Sequence, residues 1–348
     1  MKLKLWPITG IGYLYSGLGK FTSDLTNYFT WCKTNNNDPI LDLYPEGYNL
    51  HTAETYDAIL AIAKACGFNE TDITLVTGDM SAEYHCKVIK HTPYFLDKAS
   101  VYAQENNIEF THYTAKHFGH FIGRMTWDRC AMHSYIKNRY ADISYYSMHG
   151  FANVEKSLSD IIVNLKNTGH YNNQEIKQIV SDTLDTPLQN LDPFNAIKTS
   201  PNWPDDIEPL QMTYQQTFVD IMHETDTSDE NCFITEKTVR PMLFKRPFLA
   251  MCGTNYLEKL RQLGFRTFDK WFDEKYDNLD SKSKFIGIQK RMQNIADMDQ
   301  SARKNMLKEM QSVVEHNFEH VANKGYEKHL HKFNVSVWDD SKIKYYEN

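Results

Sequence analysis

The chain of 348 residues is long enough for two domains, and its 41% hydrophobic and 24% charged residues are ordinary for a globular protein. It contains no run of about 18 consecutive apolar residues, so we expect no helix that spans a membrane. The net charge of −7 excludes a chain-wide basic surface for nucleic acid, although residues 281–348, with 12 basic and 9 acidic side chains, are locally positive.

Strand and helix patterns alternate through residues 1–115. Strands are predicted at residues 3–6, 40–44 and 73–76, and helices at 21–31, 52–65, 81–90 and 95–105. This alternation is typical of a parallel sheet with helices on both faces. We therefore predict an amino-terminal α/β domain over residues 1–115.

A second series of strands and helices begins near residue 108. Strands are predicted at 108–113, 118–122, 218–222 and 248–251, and helices at 127–138, 173–184, 235–244 and 256–263. A proline-rich stretch over 167–209 predicts a long irregular excursion. From 281 to about 323 the pattern is helical. We predict a second α/β domain over 116–280 and carboxy-terminal helices over 281–348.

A glycine-rich loop follows the first predicted strand and contains Gly12, Gly17 and Gly19. Such a loop before a helix lets backbone amides approach a phosphate or a sugar. It is not a P-loop, because Leu14 stands where a glycine is required and Phe21 replaces the Ser or Thr. No third glycine completes a dinucleotide-binding motif either, and a tight turn without a ligand explains the loop equally well.

An acid and a lysine, Glu236 and Lys237, stand together at the start of the predicted helix 235–244. The carboxylate suits ribose hydroxyls, while the ammonium group and the helix dipole suit the phosphates of a nucleoside diphosphate. A purely structural interpretation is equally compatible with these residues, with Thr235 as the N-cap and Glu236 near the positive end of the helix.

The run from 233 to 253, FITEKTVRPMLFKRPFLAMCG, resembles the donor-binding motif of GT-B glycosyltransferases related to the α-1,3-fucosyltransferases. In that family a TEK helix is followed by a proline-initiated strand that ends in glycine. The strand pattern before it, ending at Glu224, and the segment 118–129, with its arginine, are similar to two further parts of the family. The resemblance covers about residues 116–270 and implies two Rossmann-like domains in a GT-B arrangement, with carboxy-terminal helices that pack back on the first domain.

The resemblance also implies a donor site without a cofactor or an essential metal, because arginine, lysine and helix dipoles stabilise the leaving diphosphate. The donor-binding residues that it implies are Arg129, with Arg124 as second choice, Glu224, Thr235, Glu236 and Lys237. In the GT-B plan the first domain supplies the acceptor site, and the loop with Gly12, Gly17 and Gly19 faces the cleft.

Inverting transfer, which the resemblance favours, needs a general base that removes the proton of the acceptor hydroxyl. Asp79 follows the predicted strand 73–76 through a short loop, a position where parallel sheets place ligands. Glu46 and Glu83 are alternatives. Each of the three is also compatible with a solvated loop acid.

The cysteine and histidine positions show no metal-ligand spacing, since the sequence lacks CxxC, Cys/His zinc patterns and HExxH. We expect six reduced thiols, mostly buried, in a cytoplasmic protein without a signal peptide. The cysteines are Cys32, Cys66, Cys86, Cys130, Cys232 and Cys252.

The sequence therefore predicts a nucleotide-sugar-dependent glycosyltransferase that transfers a hexosyl or pentosyl group to a hydroxyl. The acceptor is a glycan or, in a viral type of enzyme, a hydroxymethylated base in DNA. A non-catalytic binding protein with the same fold is the second alternative. A DNA acceptor would need the basic residues near the carboxy terminus, namely Lys282, Lys284, Lys290, Arg291, Arg303, Lys304 and Lys308.

Overall fold

The computed structural model contains two parallel β-sheets, each in its own unit of the chain. The first unit comprises Met1–Asp97, Glu230–Ile234 and Glu327–Asn348, and the second comprises Lys98–Asp229 and Thr235–Tyr326. The α/β class is confirmed, and the domain limits at 115 and 280 stay predictions. The structure describes residues 19–43, 50, 55–91, 93–122, 125–148, 154–184, 207–224, 227 and 232–335.

The sheet of the first unit has three parallel strands in the order β1 (Ile40–Leu43), β2 (Thr74–Thr77) and β3 (Lys87–Lys90). Its core is built from apolar side chains of the strands and of the helices α1 (Gly19–Thr34) and α2 (Thr55–Ala65). The helix predicted at 21–31 and the strand at 73–76 are confirmed, as are the helix at 52–65 from residue 55 onward and the strand at 40–44 as far as residue 43. Residues 44 and 52–54 lie outside the described residues. The strand predicted at 3–6 lies outside the described residues.

The prediction of a helix over 81–90 is wrong, because its second half forms β3. Val88 and Ile89 are β-branched residues that favour a strand, and they pair with Leu75 and Val76 of β2. Pairing with a buried neighbouring strand outweighs the helical spacing of this short segment. The next helix, α3 (Tyr94–Glu105), confirms the pattern at 95–105.

The sheet of the second unit has four parallel strands in the order β5-β4-β6-β7. They are β4 (Lys116–Ile122), β5 (Ser144–Met148), β6 (Thr217–His223) and β7 (Phe248–Met251). From β4 the chain first adds β5 on one side and then β6 and β7 on the other. The direction of winding therefore reverses between β4 and β6, and in open parallel sheets ligands bind beyond the carboxyl ends of the strands at such a switch point.

Nine described helices accompany this sheet, and the last two, α11 and α12, lie in the second unit, where they pack against β7 and α8 respectively. The helices are α4 (Trp127–Tyr140), α5 (Val154–Asn167), α6 (Asn173–Leu184), α7 (Ile207–Gln215), α8 (Glu236–Leu243), α9 (Tyr256–Gln262), α10 (Asp269–Phe272), α11 (Ser281–Ala296) and α12 (Gln300–Ala322). No helix in the described ranges has the length and apolar character that crossing a membrane requires.

Two predictions for the second unit are corrected. Residues 108–113 form no strand; Ile108 is buried, and His112 Nε2 lies 3.2 Å from Gln311 Oε1 on α12, so the segment is held by side chains instead of a neighbouring strand. The stretch 167–209 contains α6, as predicted, and also the beginning of α7. The sequence analysis missed β5, α5 and α7.

We predict that Gly287→Ala destabilises the second unit. A Cβ at Gly287 on α11 would lie 2.7 Å from the Cβ of Tyr276, and this buried ring is fixed because its hydroxyl accepts from Ala250 N–H at 3.1 Å. Overpacking should outweigh the gain in helix propensity and lower the free energy of unfolding by about 1–2 kcal/mol. Chemical denaturation measures this effect.

The matched control is Asn294→Ala, which introduces alanine at an exposed position of the same helix. It should leave the free energy of unfolding unchanged or raise it by a few tenths of a kcal/mol. A Gly287→Ala protein as stable as the parent would show that Tyr276 moves without cost.

Candidate functional site

Polar side chains from three parts of the second unit meet near the switch point. They come from the first turn of α4, from the end of β6 and from the start of α8. We call them the strand-end cluster, which consists of Asp128, Arg129, His223, Glu224, Thr235, Glu236 and Lys237. Four of the five donor-binding residues predicted on these elements have direct hydrogen bonds or ion pairs with one another, and Arg129 bonds to the backbone of His223.

Glu224, directly after β6, holds the first turn of α8 in place. Its Oε1 accepts from the Thr235 N–H at 3.1 Å and its Oε2 from the Thr235 hydroxyl at 2.6 Å, and the Thr238 hydroxyl also donates to it. The Thr235 hydroxyl oxygen accepts from the Lys237 N–H at 3.2 Å, so Thr235 is the N-cap. Thr235 therefore caps α8 as the structural interpretation predicts, and the buried carboxylate of Glu224 lies at the positive end of the helix.

Glu236 and Lys237 form an ion pair at the start of α8. Burial lowers the pKa of Lys237, Glu236 raises it, and the positive charge of Arg129 lowers it further. Burial raises the pKa of Glu236, but Lys237 and Arg240 outweigh this effect and lower the pKa to about 2. The Glu236 carboxylate is thus ionised, and 22% of its side chain is exposed.

Arg129 brings a second cation to the same place from the first turn of α4. It is fully buried, and its Nη2 donates to the backbone carbonyl of His223 at 2.9 Å. The positive charge of Arg129 is close enough to Lys237 to lower the pKa of that ammonium group. Two buried cations therefore lie near each other, each on the first turn of a helix. Such an arrangement favours a bound anion.

A hydrogen-bonded pair, Asp128 and His223, was missed by the sequence analysis. His223 Nε2 lies 3.0 Å from Asp128 Oδ2, which also accepts from the Thr227 hydroxyl at 2.9 Å. Burial raises the pKa of Asp128, but His223, the hydrogen bond from Thr126 and the charge of Arg129 together outweigh this effect and lower the pKa. Burial lowers the pKa of His223 more than Asp128 raises it. The only signal in the sequence was a histidine at a predicted strand end.

Of the residues proposed as general base or glycine loop, the structure describes Asp79, Glu83 and Gly19, and none of these three belongs to the strand-end cluster. Asp79 is buried in the first unit, where its Oδ1 accepts from the backbone N–H groups of Ser81 at 2.8 Å and Cys232 at 3.0 Å. These bonds give Asp79 a structural role, and a catalytic role stays a prediction. Glu83 is exposed and Gly19 is the first residue of α1. Glu46, Arg124, Gly12 and Gly17 lie outside the described residues.

Four of the seven basic residues near the carboxy terminus make bonds inside the second unit. The buried Lys284 donates to the carbonyls of Cys252 and Gly253, both at 2.8 Å. Arg303 donates to the Met298 carbonyl at 2.8 Å, and Arg291 pairs with Asp273 at 2.8 Å. Lys282 donates to the Thr168 carbonyl at 3.3 Å, and Lys290, Lys304 and Lys308 are exposed.

Among the described residues no group of three or more His, Cys, Asp or Glu side chains is placed to hold a metal ion. All six cysteines are free thiols, and Cys66 alone among them is not buried. Comparison of the chain with protein-family models, with curated proteins and with solved structures gives no match.

We predict that Thr235→Ala lowers the free energy of unfolding by about 1–2 kcal/mol, because it removes the N-cap of α8 and a buried hydrogen bond to Glu224. Thr235→Ser is the matched control, since serine keeps the hydroxyl that makes both bonds. Urea denaturation of the two variants would contradict the assigned role if Thr235→Ala were as stable as Thr235→Ser.

Proposed function

We propose that the chain is a nucleotide-sugar-dependent glycosyltransferase of GT-B architecture, with the donor diphosphate bound between Arg129 and the start of α8. One observation carries this proposal: two buried cations, Arg129 and Lys237, lie near each other at the starts of two helices beside a topological switch point. The resemblance of residues 116–270 to the α-1,3-fucosyltransferase-like family supports the same assignment.

Lys237 is paired with Glu236, and Arg129 and Lys237 together offer two cations to a diphosphate. Like charges repel each other most strongly where water is excluded, so Arg129 and Lys237 disfavour each other in the unliganded protein. A bound anion with two phosphates relieves this repulsion and satisfies the helix N-termini at the same time. Arginine also offers a planar pair of donors that fits phosphate oxygens, which a single lysine cannot reproduce.

Glu236 supports a nucleoside diphosphate over inorganic phosphate. Its carboxylate is ionised and partly exposed, so it can accept hydrogen bonds only from groups that carry a proton. Ribose hydroxyls are such groups, whereas fully ionised phosphate oxygens are repelled. Glu236 and Lys237 at one helix start therefore suit the ribose and the phosphate of one nucleotide.

In the proposed reaction the acceptor hydroxyl oxygen attacks the anomeric carbon of the donor, and the bond from that carbon to the diphosphate oxygen breaks. The diphosphate leaves with the bonding electrons, and Arg129 and Lys237 stabilise the charge that develops on it. A base removes the hydroxyl proton, and Asp79, Glu46 and Glu83 are the proposed candidates. No essential metal is expected in this mechanism.

Two acceptor classes remain within the proposal, a glycan and hydroxymethylated DNA. The internal bonds of Lys284, Arg291 and Arg303 reduce the basic surface for DNA, which favours a glycan. A transfer assay with both acceptors separates the two classes. A non-catalytic binding protein is the competing proposal, and it requires donor binding without turnover.

The decisive first experiment is a thermal-shift panel of GDP-, UDP- and ADP-linked sugars and a CMP-linked sugar. A donor at about 100 times its Kd adds about 2.7 kcal/mol to the free energy of unfolding, which is easily measured. We expect one nucleotide class to stabilise the protein. If every member of the panel leaves Tm unchanged, the proposed function is refuted.

We predict that Lys237→Ala and Glu236→Ala differ in their effects on two ligands. Lys237→Ala should weaken both inorganic pyrophosphate and the nucleoside diphosphate by about 1.5–3 kcal/mol, because a charge-assisted bond to phosphate is lost. Glu236→Ala should weaken only the nucleoside diphosphate, since pyrophosphate has no ribose. Calorimetric titration measures both affinities, and Lys308→Ala on the exposed side of α12 is the control. Equal losses for both ligands in Glu236→Ala would contradict the ribose assignment.

We predict that Arg129→Lys keeps the positive charge but lowers kcat by at least about tenfold, because an ammonium group cannot form two parallel hydrogen bonds to the departing diphosphate. Initial-rate assays measure this loss, with Lys304→Arg as a control for cation exchange at a site remote from the cluster. Unchanged turnover in Arg129→Lys would assign Arg129 a structural role.

A further inference from the structure

His223 has one ring nitrogen committed and one without a partner. Its Nε2 lies 3.0 Å from Asp128 Oδ2, and since a carboxylate only accepts hydrogen bonds, Nε2 carries a proton. Among the described residues its buried Nδ1 has no hydrogen-bond partner, and the side chain is 0% exposed. A neutral His223 therefore presents a bare nitrogen at Nδ1. A buried acceptor without a donor is costly, which points to a ligand or a proton that satisfies it.

The surroundings of His223 set its charge. Asp128 and Glu224 are the anions that favour a protonated ring, while burial and the cation Arg129 disfavour it. The neighbouring ring of His120 lies 5.8 Å away between centroids, and its Nδ1 is 3.1 Å from the Ile221 carbonyl. Burial is the largest effect and holds the pKa of His223 below its usual value, so the ring is neutral in the unliganded protein.

Arg129 couples His223 to the proposed anion site. Its guanidinium group donates to the backbone carbonyl of His223, and its positive charge lowers the pKa of Lys237. A diphosphate bound to Arg129 would neutralise the cation that disfavours a protonated His223 and would add negative charge close to the ring. Both changes favour the imidazolium form.

We propose that His223, oriented by Asp128, takes up a proton at Nδ1 when a diphosphate binds and then serves as a third cationic group for that anion. This inference rests on the proposed function. The proton comes from solvent, Asp128 stabilises the resulting imidazolium through Nε2–H, and the new Nδ1–H becomes a donor for an oxygen of the bound diphosphate. Asp128 is accordingly a positioning residue.

The sign of the pH dependence follows from linkage. The liganded protein binds a proton at His223 more tightly than the free protein, so diphosphate affinity is greatest at low pH. Affinity falls as the pH rises through the liganded pKa, and it becomes constant once His223 is neutral in both states. In the intermediate range the affinity changes by up to about tenfold per pH unit.

The test is calorimetric titration of the full chain with inorganic pyrophosphate, and with the nucleoside diphosphate that raises Tm most, in buffers of different ionisation enthalpy. His223→Gln is the main variant, because the glutamine amide can still donate to Asp128 but cannot titrate. The ligand's own titration is common to all variants and cancels in the comparison. His112→Gln, at the histidine that lies beside Gln311, is the matched control.

We expect the parent and His112→Gln to take up a fraction of a proton on binding near neutral pH, and His223→Gln to lose that uptake together with the associated pH dependence. Equal uptake in His223→Gln and the parent would overturn the inference while leaving nucleotide binding intact. Absence of binding in the parent would instead refute the proposed function.

Two further measurements keep the inference testable if His223→Gln does not fold. His120→Asn keeps a donor for the Ile221 carbonyl and should bind with the parent's proton uptake; loss of uptake there would move the titration to His120 and overturn the assignment. NMR titration of the parent's histidine resonances should show a higher pKa for His223 with pyrophosphate than without it. An unchanged or lower pKa would also overturn the inference.

Discussion

The buried carboxylate of Glu224 is the group on which the rest of the site depends. It accepts hydrogen bonds from the Thr235 N–H and from the hydroxyls of Thr235 and Thr238, so the start of α8 is fixed to the end of β6. Because that start is fixed, Glu236 and Lys237 have defined positions next to the sheet. A buried anion at a helix N-terminus is stabilised by the same dipole that would attract a ligand anion. Glu224 therefore occupies part of the positive potential at the start of α8 in a structural role.

The two cations of the strand-end cluster come from two separate helices. Arg129 belongs to α4 and Lys237 to α8, and the sheet order brings the two first turns together at the switch point between β4 and β6. Neither helix alone would hold a diphosphate by two cationic groups. The reversal in strand order therefore decides where the proposed anion site lies, and its side chains decide what such a site could bind.

Local signals explain most of what the sequence could predict. β6, α8 and β7 were predicted within one or two residues because apolar runs mark the two strands and the N-cap Thr235 marks the start of α8. The strand prediction for residues 108–113 was wrong because a strand needs a neighbouring strand to pair with, and no local sequence pattern reveals whether one is present. The Asp128–His223 pair was not predicted for a related reason: the two residues are 95 positions apart, and only the sheet brings them together. The residues proposed to bind the donor could be named from the resemblance of three segments to the glycosyltransferase family, whereas their burial and charge coupling could not.

Two buried aspartates of this chain illustrate why the partner of a carboxylate decides its use. Asp79 accepts from two backbone N–H groups, which never titrate, so its bonds keep one charge state and tie Cys232 to the loop after β2. Asp128 instead accepts from an imidazole, whose second nitrogen can gain or lose a proton near neutral pH. A carboxylate that accepts hydrogen bonds from donors that do not titrate has a structural role. A titratable donor lets it support a change of charge, and within the strand-end cluster the place where charge can change with the least rearrangement is the ring of His223.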